Sequence, residues 1–342
     1  MCGPLSYDTI QMKSYGRGSL YNQPEAILEQ YDLEINQISK GRGAYIVNTN
    51  QGMKTLVPFR GSRERALFLG SILDELNANG YPVERITFTK EGEPLAEDET
   101  GVRYWLKTLI SGSECQTGRE TDMRQAVRQL AFFHETVAKS RIPVPGFMMG
   151  DRNAPHNLYE RHYRELIKVK NYVKTRKTKN AFERRFQEQY PRYIEDAGRA
   201  LQLLAGQRDS CRRILCHGDV SQHNIIRTPE GFRMIHFENM CYNLAVSDLA
   251  KFLRKMLEKN NWSCELGMRL IEEYGQVRPL SGDELKQLYV ILLFPEKFWK
   301  ISNHYVNSHK AWVCERDIEK LEHMVRQENA RTLFLENLFS IT

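Results

Sequence analysis

The sequence has no long hydrophobic run, and its beginning does not look like a targeting segment. The longest uninterrupted apolar stretch, residues 288–294, is far too short to span a bilayer. Residues 1–7 show no basic region followed by an apolar one, so we expect no secretory signal. These absences predict a protein without a place in the membrane.

Cysteines are few, odd in number and scattered. No two of them have the spacing of metal ligands, so a zinc site is not predicted. A chain of 342 residues can bury a core without cross-links, and the distribution indicates reduced thiols in a cytosol. The seven are Cys2, Cys115, Cys211, Cys216, Cys241, Cys264 and Cys314.

Charge is distributed unevenly over a composition that is otherwise typical of a soluble globular protein. The net charge is +6, and residues 161–185 hold ten Lys or Arg against Glu165 and Glu183. Such a cluster can attract phosphate-rich or carboxylate-rich partners, but a charge run is more often the solvated face of a helix, and we favour that interpretation. Nucleic-acid binding is not favoured, because no recognised reader motif accompanies the charge.

The hydrophobic periodicity changes along the chain and predicts an α+β fold with two lobes. Residues 1–22 lack periodicity and predict a tail. Residues 23–111 combine short β-like runs with few helical stripes, which predicts a small β-rich lobe. Residues 112–342 predict a larger helical lobe that contains basic helices at 157–190 and a β-rich insert at 213–238. A cleft between two lobes is a common place for a ligand.

Local signals fix some of the turns and caps. Residues 49–52, Thr-Asn-Gln-Gly, predict a hairpin turn. Ser62 is placed to cap a helix that ends before Gly80. Residues 281–284, Ser-Gly-Asp-Glu, match a capping box before another helix.

The segment with the clearest chemistry is residues 214–226, in which an apolar run leads into His-Gly-Asp. Asn224 follows Asp219 by five residues, and a second apolar strand comes shortly afterwards. Phosphoryl transfer needs a carboxylate that orients the attacking hydroxyl and oxygen ligands that hold the metal ions. Asp219 and Asn224 have the spacing for these roles. As an alternative, both could hold a turn between two strands through backbone hydrogen bonds.

The pattern resembles the aminoglycoside phosphotransferase and choline kinase superfamily, whose catalytic loop reads His-Gly-Asp, four residues, then Asn. Residues 235–239, Ile-His-Phe-Glu-Asn, resemble the Ile-Asp-Phe-Glu metal segment of that group. Residues 247–250, Ser-Asp-Leu-Ala, resemble the Asp-Leu-Ala that buttresses the loop. The resemblance implies a protein kinase-like two-lobed fold, with Asp219 as base or hydroxyl orienter and with His217 and Asp248 as loop support. An active member would use ATP and Mg²⁺.

A closer resemblance is to spore coat proteins of the CotS type, over roughly residues 25–340. It is carried by a strand end, a helix, the basic helix pair and two C-terminal motifs. It implies other spore coat proteins, or a small-molecule or sugar substrate, as partners, and a location in the mother-cell cytoplasm and at the spore coat surface. The motifs are Phe-Arg-Gly-Ser at 59–62, Leu-Ala-Phe-Phe-His at 130–134, Phe-Pro-Glu-Lys-Phe-Trp-Lys at 294–300 and Asn-Ser-His-Lys-Ala-Trp at 307–312.

The first departure from the kinase pattern concerns the nucleotide phosphates. The resemblance implies a strand lysine just before Pro58, where this chain has Val57. Lys54 lies three residues earlier, and Arg60 has the same parity as Lys54, so both are predicted on the opposite face of an extended strand. Lys54 and Arg60 are therefore weak candidates for a phosphate contact.

The second departure concerns the metal. His236 stands where the resemblance implies an aspartate, and Mg²⁺ prefers oxygen ligands. Glu238 lies two residues later on the same side of an extended segment, so Glu238 and Asn224 are the candidate metal ligands. His236 is more often a packed or hydrogen-bonded histidine than a ligand in such a place.

These departures favour a first functional hypothesis, whereas the intact spacing of Asp219 and Asn224 supports a second. The first is a degenerate kinase that acts by binding in sporulation, as a component or assembly factor of the spore coat, with no cofactor required. The second is an active phosphotransferase that transfers the γ-phosphate of ATP to a hydroxyl of a small molecule, a sugar or a glycopolymer precursor.

Overall fold

The computed structural model describes residues 24–41, 43–151, 154–206, 211–308 and 315–342. The described residues divide into two compact units. The first unit contains residues 24–78 and 82–111, and the second contains residues 79–81 and those from 112 onward. The tail expected at residues 1–22 and most of the motif at 307–312 lie outside the described residues.

The first unit is built on an antiparallel sheet in the order β1-β2-β3-β6-β4, with β5 paired to the beginning of β6. The hairpin predicted at residues 49–52 is confirmed, because Thr49 pairs with Gly52, whose φ of +90° suits glycine. The strands are β1 (Ile35–Lys40), β2 (Tyr45–Thr49), β3 (Gly52–Pro58), β4 (Ile86–Thr87), β5 (Ala96–Glu97) and β6 (Arg103–Thr108).

Two helices, α1 (Pro24–Leu28) and α2 (Arg63–Ala78), pack in this unit. The Oγ of Ser62 accepts a hydrogen bond from the N–H of Arg65 at 3.2 Å, so Ser62 caps α2 as predicted. A Cβ added at Gly70 would lie 3.1 Å from Cδ1 of Ile86, which places α2 on the Ile86 face of the sheet. The core on the other face consists of Ile27, Leu28, Tyr31, Tyr45, Val47, Leu56, Ala96, Tyr104 and Leu106.

The strands of the second unit form two small sheets rather than one insert. One sheet has the order β10-β9-β7, and the other pairs β11 with β8. The pattern at 213–238 therefore covers only part of these sheets, because β7 and β11 come from outside it. The strands are β7 (Ser113–Glu114), β8 (Arg213–Cys216), β9 (Ile225–Thr228), β10 (Gly231–Met234) and β11 (Cys241–Leu244).

This pairing brings two loops together. The chain leaves β8 through residues 217–224 and leaves β10 through residues 235–240, before β11 returns to pair with β8. The N–H of Ile235 donates to the carbonyl of Asn224 at 3.0 Å, which joins the loops directly. We name residues 217–224 the first loop and residues 235–240 the second loop.

The rest of the second unit is helical. Helix α6 packs against α3, α7, α8 and strand β8, which puts its first turns behind the first loop. Within the described residues, every helix is too short or too polar to cross a membrane. The helices are α3 (Glu120–Val137), α4 (Pro155–Thr175), α5 (Ala181–Ala205), α6 (Ala245–Lys259), α7 (Cys264–Val277), α8 (Gly282–Leu293), α9 (Glu296–Asn307), α10 (Glu315–Arg326) and α11 (Glu328–Phe339).

The basic stretch forms α4 and the beginning of α5. Tyr159, Leu166 and Val173 are buried along one side of α4, whereas its cations face solvent, as an amphipathic helix requires. Asn180 and Glu183 form a capping box that starts α5, and the predicted box of Ser281 and Glu284 that starts α8 is confirmed. The exposed cations are Arg164, Lys168, Lys170, Lys174, Arg176, Lys177 and Arg184.

Candidate functional site

The first loop turns at Gly218, which lies close to the second loop. The φ of Gly218 is +82°, a left-handed conformation that glycine adopts without strain. A Cβ at this position would stand 2.1 Å from the carbonyl oxygen of Asn239. Both the backbone conformation and the available space therefore require glycine in the His-Gly-Asp motif.

Asp248, in the first turn of α6, holds the first loop from behind. Its Oδ2 accepts a hydrogen bond from the N–H of His217 at 2.6 Å, and its Oδ1 accepts one from the N–H of Gly218 at 3.1 Å. The carboxylate is fully buried, so these charge-assisted bonds offset the unfavourable removal of a charge from water.

His134 and Tyr274 complete this buried support. His134 Nε2 lies 3.4 Å from Oδ2 of Asp248, and its Nδ1 lies 2.7 Å from the hydroxyl of Tyr274. Burial lowers the pKa of His134, so the neutral ring donates to Asp248 and accepts from Tyr274. Burial alone would raise the pKa of Asp248, but the hydrogen bond from His134 and the charge of Lys251 hold it at about 2.

The thiol of Cys216 lies beside this support. The ligand atoms of His134, Cys216 and Asp248 are all within 4.8 Å of one another, a spacing that a metal could use. However, His134 and Asp248 are already hydrogen-bonded, and burial raises the pKa of the Cys216 thiol well above its usual value. We therefore interpret the cluster as packing and hydrogen bonding behind the loop.

His217 connects the two loops. Its Nε2 donates to the carbonyl of Ile235 at 2.9 Å, and its Nδ1 accepts from the N–H of Asp219 at 3.3 Å. Burial lowers the pKa of His217, which keeps the ring neutral and able to donate on one side and accept on the other. Because Ile235 directly precedes His236, His217 helps to position Asp219 in the first loop and His236 in the second.

Asp219 stands between an amide and an ammonium group. Asn224 Nδ2 donates to the backbone carbonyl of Asp219 at 2.8 Å and to its Oδ2 at 3.2 Å. Lys255 Nζ lies 3.6 Å from Oδ1 of Asp219 and donates to the carbonyl of Val220 at 2.9 Å. The side chains of Asp219 and Lys255 are 33% and 31% exposed, so a solute can reach both.

A second lysine of α6 also contacts the first loop. Lys251 Nζ donates to the carbonyl of Gly218 at 2.8 Å. Lys251 and Lys255 follow Asp248 by three and seven residues, which puts all three on one face of the helix. Ammonium groups on two consecutive turns of α6 therefore bind two carbonyls of the first loop.

His236 opens the second loop with a left-handed backbone, at φ 68° and ψ 56°. Non-glycine residues are uncommon in this region, although Asn, Asp and His are enriched among those found there. His236 Nδ1 lies 3.7 Å from Oε1 of Glu238, so the imidazole and the carboxylate stand side by side.

The comparisons decide the family. A family model described as "Spore coat putative kinase YutH" matches residues 24–338. The chain belongs to the YutH family. This confirms the resemblance to spore coat proteins with a kinase-like fold.

The relatives of this YutH-family chain agree with that assignment. Spore coat protein S of Bacillus subtilis (strain 168) is 23% identical over 334 residues, which cover 91% of this chain and 92% of the relative. An aminoglycoside phosphotransferase from Alicyclobacillus acidocaldarius has a TM-score of 0.79 at 20% identity, over 95% of this chain and 98% of that one. Spectinomycin phosphotransferase APH(9)-Ia, solved with ADP and spectinomycin, has a TM-score of 0.65 at 14% identity, over 93% and 96%. The predicted α+β kinase-like fold is confirmed.

The donor set of the YutH-family chain lacks one of the three predicted oxygen ligands of Mg²⁺. Magnesium requires near-octahedral oxygen coordination, and only Asn224 and Glu238 offer side-chain oxygens in the predicted metal positions. The third predicted position supplies the imidazole of His236, whose Nδ1 already faces the Glu238 carboxylate. The carboxylate of Asp219 is engaged by the amide of Asn224 and faces the ammonium of Lys255.

The predicted phosphate-contact residues lie in the first unit. Residues 54–58 of β3 pair with β6 in unbroken register, so Lys54 and Val57 point to opposite faces. Lys54 is buried and donates to Oγ1 of Thr87 at 3.0 Å, and burial lowers its pKa. Arg60 follows the strand and is exposed.

The Val57 face carries a lysine that was not predicted from the sequence. Lys107 pairs with Thr55 and so shares the face of Val57. Its Nζ lies 2.7 Å from Oε1 of Glu84, and the two side chains are 0% and 4% exposed. Within residues 103–108, Arg-Tyr-Trp-Leu-Lys-Thr, the lysine follows two large apolar residues, and strand alternation does not distinguish it from a solvated edge residue.

Three residues near the first loop were also missed. Lys251, Lys255 and Tyr274 carry no family motif in the sequence. Helical spacing from Asp248 was the available signal for the two lysines, whereas Tyr274 lies on a different helix and had none.

Proposed function

We propose that this YutH-family protein is a degenerate kinase that acts by binding in sporulation, associated with the spore coat. It keeps the backbone of a kinase catalytic loop without the groups that handle the phosphates and the metal. We place its synthesis in the mother-cell cytoplasm and its destination at the spore coat surface, with other coat proteins or a small-molecule or sugar ligand as partners.

The observation that carries the proposal is the environment of Asp219. A carboxylate that orients an attacking hydroxyl works poorly beside an ammonium group, because the positive charge competes with the hydroxyl for the carboxylate oxygens. Here one oxygen accepts from Asn224, and the other faces the ammonium of Lys255 at 3.6 Å. The two departures from the kinase pattern also weaken phosphoryl transfer. His236 removes an oxygen ligand of the metal, and Val57 removes the strand lysine that would contact the phosphates. Removing one electrostatic stabiliser of a transition state commonly costs a factor of about 10²–10³ in rate.

The direct test is ATP turnover by the purified protein in the presence of Mg²⁺ or Mn²⁺, together with a thermal-shift titration with ATP with and without each metal. We expect no metal-dependent turnover above the background of an Asp219→Ala variant. Asp283→Ala serves as the matched control, since Asp283 is a half-exposed carboxylate on α8. Mg²⁺-dependent turnover that disappears in Asp219→Ala and persists in Asp283→Ala would contradict the proposal.

One observation favours an active phosphotransferase instead. The Asp219–Asn224 contact of a working catalytic loop is intact, with the amide of Asn224 orienting the Asp219 carboxylate. In that function Asp219 would orient an acceptor hydroxyl after Lys255 moves away, ATP and a divalent metal would be required, and Lys54 or Arg60 would have to approach the phosphates. The same turnover assay separates the two functions.

A further inference from the structure

Lys255, on the loop-facing side of α6, has donors that the described residues do not use. Lys255 makes a single hydrogen bond among the described residues, to the carbonyl of Val220. An ammonium group has three donors, so protons of Lys255 remain for another acceptor on its exposed side. The nearest carboxylate, Asp219, lies at 3.6 Å, beyond hydrogen-bond distance.

The neighbouring cations share their carboxylates. Glu296 contacts both Arg254, in a bidentate pair, and Lys300, at 2.9 Å. Glu258 likewise contacts both Arg254 and Lys297. The side chain of Lys300 is half exposed and that of Lys255 is about one third exposed, so positive charge faces solvent here.

The surrounding charges and the burial of Lys255 change its pKa. The pKa of Lys255 is lowered to about 8, chiefly by burial and also by the charges of Lys300 and Arg254, whereas Asp219 raises it. An ammonium in this situation gains from one more anion beside it. A cationic solute placed at Asp219 would instead lie against Lys255, and a like charge at about 4 Å weakens binding roughly tenfold or more near a protein surface.

We propose that the exposed end of Lys255, next to Asp219, forms a binding site for a hydroxyl compound that carries a carboxylate or a phosphate. This inference deepens the proposed function, because it names the ligand class of the site through which a degenerate kinase would act. Asp219 and Asn224 would meet the hydroxyl groups, and Lys255 would meet the anionic group.

The test uses four sugars that share one ring and differ in charge. The full-length protein is titrated, by thermal shift and calorimetry at constant ionic strength, with glucuronate, glucose 6-phosphate, glucose and glucosamine. We expect glucuronate, glucose 6-phosphate or both to bind and raise the melting temperature, with glucose and glucosamine at least tenfold weaker. The response to the two anions distinguishes a carboxylate ligand from a phosphate ligand.

Matched lysine variants locate the site. Lys255→Met keeps the length of the side chain and removes its charge, and we expect at least a tenfold loss of anion affinity. Lys286→Met is the control, because Lys286 is a half-exposed lysine of α8 that pairs with Asp283. Equal binding of glucosamine and glucuronate, no binding of either anion, or unchanged anion affinity in Lys255→Met would each overturn the inference.

The pH dependence provides an independent readout. Lys255 faces Asp219, Arg254 and Lys300, and its own pKa is lowered to about 8. Anion affinity should therefore fall between about pH 7 and pH 9 in the wild type and stay flat in Lys255→Met. The proposed function fails separately: metal-dependent ATP turnover would refute a degenerate kinase and would leave the anion preference as a property of its acceptor.

Discussion

The back and the front of the first loop are built differently. Behind the loop, Asp248, His134 and Tyr274 are buried and hydrogen-bonded to one another or to the loop backbone. At the front, Asp219 and Lys255 are partly exposed, and their charged groups lie 3.6 Å apart, which is too far for a hydrogen bond between them. The back has the order of a folded core, and the front has the looser charge balance of a ligand surface.

This difference separates what folding requires from what chemistry requires. A buried carboxylate that loses its partners destabilises the whole unit, so the back resists substitution whether or not a reaction takes place. A partly exposed lysine or histidine at the front changes binding with little effect on stability. A chain can therefore keep the kinase fold while the groups that touch a ligand change.

The largest expected effect comes from removing the charge at the back. Asp248→Asn should lower the free energy of unfolding by about 3 kcal/mol, because one loop N–H would face an amide N–H₂ or lose its acceptor. Urea denaturation measures the change. Asp283→Asn, on the surface of α8, should change stability by less than about 0.5 kcal/mol. Similar values for the two variants would show that the back is not under greater constraint.

Gly218→Ala tests the close approach of the two loops. It should destabilise the protein by about 2 kcal/mol more than Gly80→Ala does. Both glycines have a positive φ, +82° and +78°, so both variants bear the strain of a left-handed alanine, about 1–2 kcal/mol. Of the two, Gly218 would also place a Cβ 2.1 Å from a carbonyl oxygen, whereas a Cβ at Gly80 would meet no heavy atom of the described residues within 4 Å apart from its chain neighbours. Equal losses in urea denaturation would contradict this account.

Tyr274→Phe removes one hydroxyl from the back. His134 Nδ1 would lose its donor in a fully buried place, at a cost of about 1.5 kcal/mol. Tyr172→Phe is the control, because Tyr172 is an exposed tyrosine of α4. Thermal denaturation should show a clearly lower melting temperature for Tyr274→Phe and almost no change for Tyr172→Phe.

The stability of the back should depend on pH. The pKa of Asp248 is depressed from 3.8 to about 2 in the folded protein, so its ionised form stabilises the fold above about pH 4, and that contribution is lost as the pH falls towards 2. The difference in unfolding free energy between wild type and Asp248→Asn should therefore narrow by about 1 kcal/mol between pH 7 and about pH 3. A constant difference would mean that the carboxylate titrates at its ordinary value.

The smallest expected effect on stability is at the front. Lys255→Met should shift the free energy of unfolding by less than about 0.5 kcal/mol, since a partly exposed ion pair contributes little. Urea denaturation of the ligand-free protein checks this. A loss comparable to that of Asp248→Asn would place Lys255 in the structural support and erase the distinction between front and back.

The sequence predicted the parts of the fold that local signals determine. The hairpin at 49–52, the cap at Ser62 and the capping box at Ser281 each depend on neighbouring residues alone, and each is present. The pairing of β8 with β11 was not predicted, because it joins strands about 25 residues apart and leaves no local signal. The motif at 217–224 was identifiable for the same reason that the hairpin was: its residues are contiguous.

The site was predictable along the chain but not across it. Asp219, Asn224 and His236 stood out through spacing, whereas Lys255 belongs to the site only because α6 packs behind the first loop. The buried pair of Lys107 and Glu84 shows the same limit, because its residues come from separate segments of the first unit. The residue pattern within one strand or helix does not predict which charges meet through tertiary packing.

The left-handed backbone at His236 determines which residues this position accepts. Aspartate is among the few non-glycine residues that this conformation favours, whereas a β-branched residue would be strained there. An exchange of His236 for aspartate would leave the path of the second loop as it is, and it needs no prior rearrangement of the backbone. The backbone at this position therefore accepts either a histidine or a carboxylate, and the fold alone does not decide between them.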